Sequence, residues 1–111
     1  MNRTIYGSVP SKSNQYRISG SRLYKSTEVK RYEADFAKQW VNVGTIKGYF
    51  ELRVIAHLKN SLQDLDGIFK VILDNLQRIG AITNDRNCVK IYAEKHIDKT
   101  NPRIELTIKS I

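Results

Sequence analysis

Between Tyr49 and Leu58 the chain alternates, with Phe50, Leu52, Val54, Ala56 and Leu58 on one side and Glu51, Arg53 and His57 on the other. Strand side chains change face at every residue, so this segment belongs in a sheet with one face buried and one polar. Segments of a different period lie on either side of it. Val29, Tyr32, Phe36, Ala37 and Trp40 recur at helical spacing over about Thr27–Val43, with Ser26 placed to cap and Glu28 in the first turn. Leu65, Phe69, Ile72, Leu76 and Ile79 do the same over Leu65–Ile79, and Gly80 closes that helix. Further strands are expected at Arg3–Val9, stopped by Pro10, at Cys88–His96, and at Arg103–Lys109, where Ile104, Leu106 and Ile108 face the core. The order β-α-β-α-β-β predicts an α/β (α+β) fold, one mixed four-stranded sheet with both helices packed on it.

A length of 111 residues suits one domain spanning residues 1–111. Cys88 is the only cysteine, which excludes an internal disulfide and a Cys-rich zinc site. No apolar run reaches the roughly 20 residues needed to span a bilayer, and Met1–Ser8 holds no stretch of signal-peptide length. A cytoplasmic protein with no membrane partner is the expectation. Nineteen Lys and Arg against eleven Asp and Glu leave a net charge of +8. Such a surplus favours an anionic partner, nucleic acid first, through phosphate neutralisation and counterion release. No Gly-rich phosphate loop is present, so a nucleotide cofactor has no support.

Residues 11–25 read as a polar connection, long for a compact domain. Lys12, Arg17, Arg22 and Lys25 alternate there with Tyr16 and Tyr24, and Asn14 adds an amide. Cations for phosphates and rings for stacking make a nucleic-acid arm. A solvated loop whose tyrosines cover the edge of the core explains the same residues equally well.

Acidic residues concentrate around the second helix. Asp64 stands at its cap, Asp66 in its first turn, Lys70 and Asp74 follow at four-residue steps, and Asp85 comes eleven residues later. Residues four apart share a helix face, so Asp66, Lys70 and Asp74 form a charged stripe. Two neighbouring carboxylates repel unless a cation lies between them, and a hard ion such as Mg²⁺ is held by one or two carboxylates plus water and phosphate oxygens. The plain structural reading makes Asp64 a cap, Asp66 a dipole partner, Lys70 a surface ion-pair partner and Asp85 a turn residue. Asp74 lies ten residues past Asp64, or about 15 Å along the axis, and cannot share an ion with it. It is assigned a supporting role, orienting Lys70. Asp85 reaches back towards Asp64 only if residues 80–85 run nearly extended; otherwise a second subunit completes the site.

Asp-x-Asp, then Lys four residues on, Asp another four on and Asp after eleven more, resembles the RusA family of Holliday junction resolvases. Val9-Pro10-Ser11, Asn14, Tyr16 and Gly20-Ser21-Arg22-Leu23-Tyr24-Lys25-Ser26 fit the same pattern. The resemblance implies a homodimer that binds branched DNA and cuts two strands of a four-way junction symmetrically with Mg²⁺ or Mn²⁺. It further implies that Asp64, Asp66 and Asp85 are the essential carboxylates holding metal and that Lys70 is the essential lysine. Gly67 stands where the family typically has Asn, and Asn84-Asp85 where it commonly has Asp-Asp. The competing classes are a non-catalytic basic nucleic-acid-binding protein and a nuclease for flaps or other branched DNA. His57 and His96 read as polar face residues of strands, and Cys88 as a small apolar filler.

Overall fold

A computed structural model describes residues 1–10, 16–20, 22–40 and 44–111, with the side chains of residues 16–19, 22 and 23 outside the described set. The alternating segment is strand β4, Phe50–Leu58, with Phe50, Leu52, Val54, Ala56 and Leu58 all buried. It pairs parallel with β5 (Cys88–Ile97) and antiparallel with β6 (Arg103–Ser110). Strand β1 (Asn2–Tyr6) runs antiparallel to the far side of β6, giving the order β1-β6-β4-β5. A parallel pair needs a crossover, and helix α2 (Leu65–Arg78) supplies it between β4 and β5. The core lies between the inner sheet face and both helices, joining Ile5, Leu52, Val54, Leu106 and Ile108 to Phe36, Trp40, Ile72 and Leu76.

Helix α1 spans Thr27–Gln39. Ser26 caps it, its Oγ accepting from the Val29 amide at 3.3 Å. The helix stops at Trp40, short of the expected Val43; residues 41–43 lie outside the described set. Gln39 at its last turn makes a two-way clamp on β1, accepting from the Tyr6 amide at 2.7 Å and donating to its carbonyl at 2.9 Å.

Two expectations are corrected. Helix α2 buries Ile68, Val71, Ile72, Asn75 and Leu76, while Leu65, Phe69 and Ile79 are only partly buried. Apolar residues occupy most of its circumference, so periodicity alone misplaces the stripe by about one residue. Residues 11–25 are not one loop. Strands β2 (Tyr16–Ser19) and β3 (Arg22–Lys25) pair antiparallel as a separate hairpin. Two residues join them, and Gly20 there has φ +62, the left-handed conformation tight hairpin turns favour. Its high charge made the segment read as a loop.

Candidate active site at the start of helix α2

Asp64 occupies the cap position of α2 with extended backbone, φ −90 and ψ 148. Its carboxylate makes no capping hydrogen bond, so the helix start does not use the group that the plain capping reading would assign to it. Asp66 lies in the first turn, and both aspartates are exposed. Their mount is fixed from two directions. Buried Gln63 donates from Nε2 to the carbonyl of Val9 at 2.8 Å, tying the loop before Asp64 to the chain leaving β1. Lys95 of β5 donates to the carbonyl of Gln63 at 3.1 Å and sits 3.5 Å from that of Ser61. Sequence reasoning missed Gln63 and Lys95, because each bond joins residues more than thirty positions apart and leaves no local pattern.

Further along the helix the charged stripe is present. Partial desolvation is the main cause that raises the Asp74 carboxyl above its ordinary range. Nearby Asp85 and Glu33 push the same way, while Lys70 and Lys25 oppose. Asp74 thus lies within electrostatic reach of Lys70, as the spacing predicted, and also of Asp85. Asp85 opens a single 3₁₀ turn, Asp85–Asn87, whose cap is Asn84, its side chain accepting from the Arg86 amide at 3.0 Å. The Asp85 amide donates to Gln77 Oε1 at 2.8 Å. Gln77 is thirteen residues past Asp64, or about 20 Å along the helix. The described chain therefore places Asp64 and Asp66 at the start of α2 and Asp85 at its opposite end, within electrostatic reach of Asp74. Among the described residues no group of three or more His, Cys, Asp or Glu side chains is placed to hold one ion.

Of the arm residues, Lys12 and Asn14 lie outside the described residues, as do the side chains of Tyr16, Arg17 and Arg22. Tyr24 is exposed. Lys25 pairs with Glu33 of α1 at 2.6 Å, and Arg78 donates to the Glu33 carbonyl at 2.8 Å, so Lys25 anchors the hairpin end to the helices. His57 and His96 stack across β4 and β5 at 5.5 Å between ring centroids. Each meets a carboxylate, His57 with Glu105 at 2.7 Å and His96 with Glu94 at 3.0 Å. These are polar contacts of the outer sheet face, away from α2.

Comparison with protein families matches residues 6–109 to endodeoxyribonuclease RusA. The chain belongs to the RusA family. Comparison with individually curated proteins returns no match. Membership of the RusA family makes this chain a nuclease of DNA, and the family implies a Holliday junction endonuclease. The match covers the hairpin, both helices and the strands around the aspartates.

The donor set suits the divalent ion such nucleases use. Asp64 and Asp66 offer two hard oxygen donors to solvent, and capping does not occupy Asp64. Asp85 offers a third at the far end of the helix.

Proposed function

We propose that this chain is a Mg²⁺- or Mn²⁺-dependent endonuclease that resolves four-way DNA junctions by paired cuts as a homodimer. The observation that carries the reading is the pair Asp64 and Asp66 on one fixed mount, with the cap carboxylate unused by the helix, in a chain of this family. Those two, with Asp85 of the partner subunit, would hold the ion, which would supply an activated water and neutralise charge on the phosphate. Lys70, one turn beyond Asp66, presents an ammonium to a non-bridging oxygen of the scissile phosphate. Asp74, one turn further, orients Lys70. Gln63 and Lys95 keep the aspartate mount from shifting. The exposed Tyr24 and the other arm residues named above contact the DNA backbone and bases.

The position of Asp85 favours a site shared between subunits. A two-fold axis crossing α2 near its middle would exchange the ends of two antiparallel copies of the helix. Asp85 of the partner subunit would then approach Asp64 and Asp66. The surface beside α2 has the right character for such contact. Leu65, Phe69 and Leu73 are only half-buried on the helix, and edge strand β5 exposes Val89 and Ile91, 53% and 45% accessible. An exposed apolar patch beside an unpaired strand edge commonly marks an interface.

The test is incubation of an end-labelled synthetic four-way junction with the protein, beside a linear duplex and a flap of the same sequence. Paired cuts on opposite strands of the junction, with little cutting of the duplex, support the reading. Binding without cutting in either metal would point to a non-catalytic binder, and preferential cutting of the flap to another branched substrate.

A further inference from the structure

Three elements meet at one carboxylate. Glu33 of α1 keeps only 14% of its side chain exposed. Its Oε2 accepts from Lys25 Nζ, at the end of hairpin strand β3, at 2.6 Å. Arg78, the last residue of α2, places its Nε 3.5 Å from the same oxygen and donates to the Glu33 carbonyl at 2.8 Å. The Arg78 guanidinium is itself held, donating to Asn75 Oδ1 at 2.9 Å. Buried Asn75 in turn donates to the Val71 carbonyl at 2.8 Å. Gln77, which accepts from the Asp85 amide, is the neighbour of Arg78. One carboxylate thus ties the basic hairpin to the helix end to which Asp85 is bonded.

An exposed ion pair adds little to stability, so the consequence of this clamp lies in the geometry it sets. Strands β2 and β3 form a sheet of their own, joined to no strand of the main sheet. A lone two-stranded hairpin is marginal in water, and its direction is set by what it is tied to. Phosphate neutralisation attracts any DNA, linear or branched. An arm held at one angle needs little further ordering to meet DNA whose strands diverge at that angle, and meets a straight duplex less well.

We infer that Glu33 is a positioning residue for DNA selection. Held by Arg78, it fixes Lys25 and with it the angle of the hairpin, so that branched DNA is bound in preference to linear duplex. The inference rests on the proposed junction-cutting function. Lys25 keeps its other ammonium N–H groups for a phosphate.

The experiment titrates a labelled four-way junction and a linear duplex of the same sequence with protein in EDTA, at one salt concentration. The quantity read is the ratio of the two affinities. Glu33→Gln and Lys25→Met both break the clamp, but the first makes the protein more positive and the second less so. A purely electrostatic role moves affinity for both DNAs up in one variant and down in the other, with the ratio unchanged. The inference expects the junction-to-duplex ratio to fall about tenfold in both variants. Lys25 is exposed, so its substitutions leave the core untouched. Lys25→Arg, which still reaches Glu33, should lose less of the ratio than Lys25→Met. A ratio retained in Glu33→Gln, or equal losses in Lys25→Arg and Lys25→Met, overturns the inference. If the wild type binds both DNAs alike, the junction reading fails and takes the inference with it. If the wild type and both variants all prefer the junction equally, the role of Glu33 alone falls.

Discussion

The amide of Asp85 is bonded to the side-chain oxygen of Gln77 at 2.8 Å, which fixes this carboxylate at the end of α2 opposite Asp64. If the site is shared, the subunits of a mixed dimer become distinguishable. Asp66→Asn and Asp85→Asn proteins, each inactive alone, should recover cutting when mixed and allowed to exchange subunits. One of the two sites in the heterodimer then combines intact Asp64 and Asp66 with the other subunit's intact Asp85. The recovered activity should nick one strand rather than make paired cuts. A site built within one chain predicts no recovery.

The apolar stripe of β5 gives a second prediction. Ile91 lies on the sheet face of its partner Leu52 but, on edge strand β5, keeps 45% of its surface exposed, so Ile91→Asp should leave most of the fold intact. A charge placed in an apolar contact between copies is costly, however. The variant should sediment as a monomer at concentrations where the wild type is a dimer, and lose paired cutting. A wild-type oligomeric state would place the interface elsewhere.

Asp74 predicts an opposite movement of stability and activity. Its carboxyl titrates above the ordinary value of 3.8, chiefly through partial desolvation. The linkage therefore favours the fold at low pH, where the group is protonated, and that contribution is lost as pH rises through the raised pKa. Asp74→Asn should raise the melting temperature at pH 7, with the difference shrinking as pH falls into the carboxylate range. The same variant should cut more slowly if Asp74 orients Lys70. A melting temperature lowered at neutral pH would contradict the assignment.

Lys95 tests the mount. Lys95→Ala removes its charge-assisted bond to the Gln63 carbonyl, an interaction worth on the order of 1 kcal/mol at an exposed position. The melting temperature should fall slightly, while the cutting rate falls about tenfold or more because Asp64 loses its fixed position. Junction affinity, set largely by phosphate contacts elsewhere, should change little. Equal small losses in all three would reduce Lys95 to a surface contact.

Much of the architecture was legible because it obeys local periods. The alternation from Phe50 to Leu58 gave the central strand, and the Ser26 cap and Gly80 stop bounded the helices. The hairpin was hidden because Tyr16–Ser19 and Arg22–Lys25 are too short and charged to show a pattern against their surroundings. The stripe of α2 was displaced because Ile68, Val71 and Ile72 compete with Leu65 and Phe69 for the core, and only the sheet decides. At the site, the stripe of Asp66, Lys70 and Asp74 follows from helical spacing, and the cap position of Asp64 from the start of the apolar pattern. The place of Asp85 does not, since it depends on the turn after Gly80 and on the bond to Gln77. Gln63 and Lys95 were invisible for a related reason: their partners are distant in the chain.

The most direct measurement is cutting of an end-labelled four-way junction by the wild type and by Asp66→Asn, each with Mg²⁺ and with EDTA. The account predicts cutting by the wild type in Mg²⁺ only, and a fall of roughly two orders of magnitude or more in Asp66→Asn with junction binding retained. Cutting that persists in EDTA, or survives in Asp66→Asn, would contradict a metal site built on this pair of aspartates.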